Sequence, residues 1–342
     1  MRYLTISYGK EKNAGPKARL DIENILNEKG FTELKIGNRV VLENNTMMIK
    51  LANQFYYQKN ANNLVSKISN DEIILYQHPM PGWRYLEKKF MKLKKKKNAR
   101  IIGLIHDIDS LRYKEAISIE FNLFRSIDTL IVHNQRMKDY LVEKHNFPEN
   151  KIISLELFDY LINKKIKINY QKNGNLIFAG NLTDKSVFLT ELNQYSNLKF
   201  DLYGGTPNPL INNFANVNYK GFFDPNNPPE DKQLSFGLLW DGDSTNHIVG
   251  TFGDYLYYIN SHKVSLYISM GLPVIVPVNT GLSDFVERNK IGIIANDFKD
   301  IQKKIEMMSN EEYMDMLKNV QKITDKVTTG YFTKKALEKI IG

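Results

Sequence analysis

The sequence predicts an α/β protein made of two successive Rossmann-like domains whose parallel sheets face a cleft, and three observations carry that prediction. The 342 residues exceed what one hydrophobic core usually organises. Short β-rich runs alternate with helical stretches, the pattern of a parallel sheet with crossover helices. That rhythm stops at a polar stretch and restarts, with no short repeat period of the solenoid kind. A composition of 42% hydrophobic and 25% charged residues supplies a core and excludes a mostly disordered chain.

The first sheet is expected from strands at 3–7, 73–77, 101–105, 129–133 and 151–155. After the first strand, Pro16 suits an opening helical position, and Ala18, Ile22, Ile25 and Leu26 form the apolar face of a helix closing near Gly30. A polar linker over 164–174 precedes the second set, at 176–179, 199–203, 217–219, 237–240, 273–276 and 291–294. The helical tract 311–327 and a final amphipathic helix, Tyr331–Ile341, are separated by Thr328-Thr329-Gly330. These divisions predict domains at 1–164 and 165–327, with 328–342 as a terminal helix.

The absence of cysteine excludes disulfides, thiolate nucleophiles and thiolate-bound zinc, leaving carboxylates, histidine, hydroxyls and electrostatics for any chemistry. No apolar run approaches the roughly 18 residues of a membrane span, and no signal-peptide stretch follows Met1, so a cytoplasmic location is expected. A net charge of +9 implies an anionic partner. The densest basic run, 92–97 within MKLKKKKNAR, lacks interleaved aromatics for stacking on bases, so no nucleic acid is expected. It reads as a solvated surface segment, with peripheral contact at the inner face of the membrane as the alternative.

In an open α/β sheet, ligands sit beyond the carboxyl ends of the strands. After the first strand, Asn13, Gly15 and Lys17 stand before a helix N-terminus that suits a phosphate or sugar hydroxyls, though this is neither G-x-G-x-x-G nor a P-loop and equally fits a plain turn. The next two strand ends carry His78 and then His106-Asp107, polar groups where an acceptor would lie. His106 and Asp107 suit a base and an orienting group for deprotonating a hydroxyl, with Asp107 or His106 as the base; the alternative is that Asp107 caps the following turn and His106 is satisfied by backbone. Asp241-Gly242-Asp243 has the form of a D-x-D metal motif and equally of a turn, and no metal is expected. The strongest constellation is a helix capped by Asn260 or Ser261, ended by Gly271 and followed by a buried strand. Lys263 falls in its first turn, where a cation opposes the helix dipole, and a bound diphosphate would resolve the conflict. The alternative is a solvated lysine.

The segments SHKVSLYISMGLPVIV, FGLLWDGD, LIFAGNL and YFTKKALEKII resemble the glucosyltransferase 3 type enzymes that glycosylate serine-rich repeat adhesins, and NAGPKARLDIENIL resembles bacterial galactofuranosyltransferase-like proteins. The resemblance implies a GT-B fold, a UDP-sugar held by the second domain, a glycan or glycoprotein acceptor held by the first, a terminal helix crossing back to the first domain, and a homotetramer. It implies that Lys263 neutralises the diphosphate with Asn260 and Ser261 nearby, that Gly180, Asn181 and Lys185 line the donor side, and that Phe222 or Phe223 packs on uracil. Asn13, Gly15 and Lys17 would face the cleft. The larger retaining relatives carry a Glu-x7-Glu pair around this helix, whereas no glutamate lies between Tyr255 and Gly271 here. The expected activity is therefore inverting, metal-independent transfer of a hexosyl group, glucose or N-acetylglucosamine, to a saccharide such as GlcNAc on a glycoprotein. No cofactor beyond the donor is expected. The alternatives are a galactofuranosyltransferase of cell-surface polysaccharide synthesis, a silent transferase-like subunit and a UDP-sugar epimerase.

Overall fold

A computed structural model of the protein describes residues 1–7, 16–38, 47–80, 82–113, 118–163 and 170–342. The chain forms two compact units, Met1–Leu155 with Lys334–Gly342, and Glu156–Thr333. The division falls ahead of the polar linker over 164–174, and the later turns of the terminal helix belong to the first unit.

In the first unit, β1 (Arg2–Ser7), α1 (Lys17–Glu28), β2 (Thr32–Asn38), α2 (Met47–Lys67), β3 (Ile73–His78), α3 (Glu87–Lys97), β4 (Arg100–Ile105), α4 (Asp109–Tyr113), α5 (Ser118–Ser126), β5 (Thr129–Val132), α6 (Gln135–Asp139) and β6 (Ile152–Ser154) follow in order. The six strands pair in parallel in the order β2-β1-β3-β4-β5-β6. β3 and β4 are buried along almost their whole length, as parallel strands covered on both faces require, which is why they read as continuous apolar runs. β2, TELKIGN, is an edge strand absent from the sequence reading, since Thr32, Glu33 and Lys35 are exposed and Leu34 is buried against them.

The second unit contains β7 (Asn175–Gly180), β8 (Lys199–Gly204), β9 (Val217–Gly221), β10 (Phe236–Leu238), α7 (Gly250–Tyr255), α8 (His262–Ser269), β11 (Val274–Pro277), α9 (Ser283–Asn289), β12 (Gly292–Ala295), α10 (Phe298–Met307) and α11 (Asn310–Val327). Its parallel sheet runs β12-β11-β10-β7-β8-β9, so the strand order reverses between β7 and β10. The crevice beyond that reversal is where such sheets take ligands. An aromatic core supports it: the Phe298 ring lies 5.0 Å from Trp240, 5.7 Å from Phe188 and 6.1 Å from Phe200. A capping box at Ser309 and Glu312 starts α11.

The last helix, α12 (Tyr331–Ile341), opens on the buried Asp159 carboxylate, which accepts the backbone N–H groups of Phe332 at 3.1 Å and Thr333 at 2.7 Å. Its later part meets the end of α1 through Lys334–Glu28 at 2.8 Å and Lys29–Glu338 at 3.0 Å. These pairs are largely exposed and contribute little stability; the buried Phe332, Ala336, Leu337 and Ile340 hold the helix.

Candidate functional site

Two constellations stand at strand carboxyl ends, one in each unit. In the second unit, β7 is buried until Gly180 emerges into solvent. Lys263, in the first turn of α8, lays its chain across that glycine: a Cβ on Gly180 would stand 2.8 Å from Lys263 Cε. Gly180 pairs in register with Gly204, where a Cβ would meet the Gly180 carbonyl oxygen at 2.1 Å. Two strand ends are thus bare backbone, a floor that a ligand can approach closely.

The ammonium of Lys263 is 2.5 Å from Asp241 Oδ1, lies 4.4 Å from the centroid of the Phe178 ring, and is 3.5 Å from the Trp240 carbonyl. The dipole conflict that pointed to an anionic ligand is therefore answered within the chain by Asp241, the first carboxylate of the Asp-Gly-Asp segment. Lysine and aspartate side chains are only 16% and 12% exposed, so their attraction is screened less than at a surface. Tyr267, one turn along α8, fixes this geometry from below: its hydroxyl accepts the Ala179 N–H at 2.9 Å, and its ring packs on Gly237 of β10.

Around this centre, Asn181 Oδ1 accepts the Thr183 N–H at 2.9 Å and the Lys185 N–H at 3.4 Å, shaping the loop after β7. The Lys185 carbonyl accepts the Gly242 N–H at 2.8 Å, which ties this loop to the one after β10, and the Lys185 ammonium sits 4.8 Å from the Phe252 ring centroid. Phe222 is 68% exposed, while Phe223 packs edge-on to Tyr203 at 5.3 Å. Ser261 is the N-cap residue of α8 without a side-chain capping bond. Asn260 does not cap; it donates to the Glu156 carbonyl at 2.9 Å.

In the first unit the constellation is built on a buried relay. Glu120 of α5 is fully enclosed and accepts from Asp109 N at 2.8 Å, Ser110 N at 2.9 Å, Ser110 Oγ at 2.7 Å and His78 Nε2 at 2.8 Å. Burial raises its pKa, but the His78 and Ser110 bonds outweigh that and hold it below the usual glutamate value. An ionised Glu120 requires His78 to carry its proton on Nε2, so Nδ1 accepts the Tyr76 hydroxyl at 2.8 Å. Burial lowers the pKa of this imidazole, with the Glu120 bond and charge opposing it. His78, placed by sequence on the acceptor side, is thus a core residue at 0% exposure whose network anchors the loop after β4.

That loop carries His106 and Asp107, both half-buried. His106 Nε2 is 2.7 Å from Gln77 Oε1, its N–H donates to the His78 carbonyl at 2.7 Å, and its carbonyl accepts from His133 Nε2 at 2.9 Å. Asp107 meets Arg112 at 3.4 Å. Asp109, two residues on, has its carboxyl pKa raised by burial and by the nearby Glu120 charge. Arg19 of α1 braces the end of β3 through the carbonyls of Gln77 and Pro79. Lys17 is buried in an ion pair with Asp21, one turn along the same helix. Asn13 and Gly15 lie outside the described residues.

Sequence reasoning named Asp241 only as part of a metal or turn motif, not as the partner of Lys263, and missed Glu120, Gln77, Arg19 and Tyr267. Only the spacing of Lys17 and Asp21 offered a local signal of pairing; the others depend on contacts between distant segments.

The buried imidazoles give a test of the first constellation. Burial lowers the pKa of His133 from 6.5 to about 4, the Asp107 charge and backbone bonds opposing it. The unfolded chain then binds more protons as pH falls below 6.5, so stability declines from pH 6.5 toward pH 4, by on the order of 3 kcal/mol. His133→Gln is expected to flatten the fall in thermal midpoint over that window, and an unchanged slope would refute the assignment.

The model of the glucosyltransferase 3-like N-terminal domain matches residues 1–157, and that of the glucosyltransferase 3-like C-terminal domain matches residues 176–340. The beta-1,6-galactofuranosyltransferase WbbI of Escherichia coli (strain K12) is 33% identical over 285 residues, 80% of each chain. Glucosyltransferase 3 of Streptococcus gordonii is 23% identical over 325 residues, 94% of this chain and 92% of its own. Among solved structures, Anabaena HepE in complex with UDP and glucose covers 100% of both chains with a TM-score of 0.61 at 11% identity, a likeness of fold.

Proposed function

Because the chain belongs to the glucosyltransferase 3-like family and is a glycosyltransferase of the GT-B fold, we propose that it moves a hexosyl group from a UDP-sugar to a saccharide acceptor by inversion, without a metal. The observation that carries the donor assignment is Lys263, held across the bare Gly180 backbone at the crevice where the strand order reverses. In that reaction the acceptor hydroxyl attacks the anomeric carbon and loses its proton as the bond to the UDP oxygen breaks. Lys263 and the α8 N-terminus receive the departing diphosphate charge, with Asn260, Ser261, Gly180, Asn181 and Lys185 bordering it. The exposed ring of Phe222 offers a face for uracil. His106 takes the acceptor proton on Nδ1, its Nε2–H held by Gln77 Oε1, on the loop that Glu120 and His78 anchor, with Asp107 beside it as the alternative base.

The acceptor is a glycan or glycoprotein, such as one ending in GlcNAc, and glucose or N-acetylglucosamine is the transferred sugar. Galactofuranose is the second reading, favoured by the 33% identity to WbbI against 23% to glucosyltransferase 3. Assembly as a homotetramer at the cytoplasmic face of the membrane completes the proposal; the resemblance to glucosyltransferase 3 supports the first part and the basic run the second.

The test incubates the protein with UDP-glucose, UDP-N-acetylglucosamine and UDP-galactofuranose, with and without a GlcNAc-terminated acceptor and with EDTA, following UDP release and product mass. Acceptor-dependent release that survives EDTA is expected, with one added hexosyl mass. A sugar altered without acceptor would mark an epimerase, and no turnover in any combination a silent subunit; either result overturns the proposal.

A further inference from the structure

We propose that the outer face of α3 is a docking surface for an anionic lipid bilayer, formed by Lys88, Met91, Lys92, Lys95 and Lys96. The inference deepens the membrane-face part of the proposed function and rests on it only for where the enzyme works. α3 has the sequence EKKFMKLKKKK, and its buried side chains are Phe90 and Leu93. At about 100° per residue, Lys88, Met91, Lys92, Lys95 and Lys96 share one face opposite that pair. All five are exposed, Met91 by 57%.

Among the described residues, Lys94 on the flank is tied to Asp128 at 2.6 Å, whereas no ion pair joins Lys88, Lys92, Lys95 or Lys96. Four cations held side by side without counter-charges repel one another, and a surface of anionic headgroups relieves that repulsion.

The composition of the face distinguishes its partner. Lysines are compact point charges that suit diffuse attraction to a charged surface, not forked recognition of single phosphates. No aromatic stands in the stripe to stack on bases. Met91 sits among the lysines, where an apolar side chain gains from entering the headgroup layer. Among the described residues no helix is long and apolar enough to cross a membrane, so α3 supplies a peripheral contact.

The experiment sediments the full chain with vesicles of phosphatidylcholine alone and of phosphatidylcholine containing phosphatidylglycerol, at low and high salt. The expected preference for the anionic vesicles is roughly 10²–10³-fold at low salt, from the four lysines together, and it shrinks as salt rises. K88Q/K92Q/K95Q/K96Q should abolish the preference, and Met91→Ala should weaken binding several-fold with little change in its salt dependence. Equal binding of wild type to both vesicles, or an undiminished preference in the quadruple variant, overturns the proposal. So does lysine-dependent retention of duplex DNA or RNA without retention by vesicles. Transfer to a soluble acceptor is measured in parallel and should be equal in wild type and variant. If neither protein transfers sugar, it is the transferase reading that has failed, and the vesicle result is judged by itself.

Discussion

Replacing Lys263 with alanine lowers acceptor-dependent transfer by about 10²–10³-fold, the size of effect seen when a single charge-stabilising donor is removed from a transition state. Two changes act in the same direction. The cation that would receive the diphosphate is lost, and Asp241, paired with it at 2.5 Å, is left as an uncompensated anion facing the same ligand. The free protein also loses about 1–3 kcal/mol, since a mostly buried acceptor keeps its desolvation without its partner. Adding Asp241→Asn to Lys263→Ala should restore most of that stability and recover transfer by no more than roughly tenfold. Thermal melts and kcat/KM on the single and double variants separate the roles. A Lys263→Ala protein that melts early but keeps its kcat would make the pair purely structural and sink the donor assignment.

Gly237→Ala is expected to be the most damaging small substitution in the second unit. A methyl there would stand 2.1 Å from Cγ and 2.4 Å from Cβ of Tyr267, with no flexible chain end to move aside. Overpacking of a filled core costs about 1–3 kcal/mol and more where the neighbour cannot shift, and about 3 kcal/mol lowers a midpoint by roughly 6–12 °C in a unit of this size. The consequence extends to activity, because Tyr267 and Lys263 lie one turn apart on α8 and displacement of the ring carries the ammonium away from Gly180. Tyr267→Phe is the informative companion. It removes the hydroxyl that accepts the Ala179 N–H yet leaves the packing, so it should retain most stability. Calorimetry and donor titrations on both variants decide; a Gly237→Ala protein with unchanged midpoint and donor affinity would show that α8 is not seated through this contact.

Most strands of both sheets were legible because buried parallel strands are written as short apolar runs between polar turns. β2 was not, since an edge strand needs few apolar positions, and here Leu34 stands among the exposed Thr32, Glu33 and Lys35. The local features of α8 were equally readable: its start near Ser261, its end near Gly271 and the lysine in its first turn. What local sequence cannot express is compensation between distant segments. Lys263 called for an anion, and Asp241, at the end of a different strand, answered it. His78 looked like a ligand-facing group at a strand end, but Glu120 and Tyr76 enclose it on both sides. The loop after β4 and the crevice beside β7 were legible as strand carboxyl ends, where parallel sheets gather ligands, while the residues bracing them, Arg19, Gln77 and Tyr267, came only with the three-dimensional arrangement.

The first compact unit is discontinuous in sequence, Met1–Leu155 being joined by Lys334–Gly342. During synthesis its six strands leave the ribosome well before its last helical turns exist. At about 5–20 residues per second the nascent sheet waits roughly 10–40 s for them while the whole second unit is made. Throughout that interval the patch destined for Leu337 and Ile340 is open to water and to other nascent chains, so translation speed and chaperone supply bear on the yield of this enzyme.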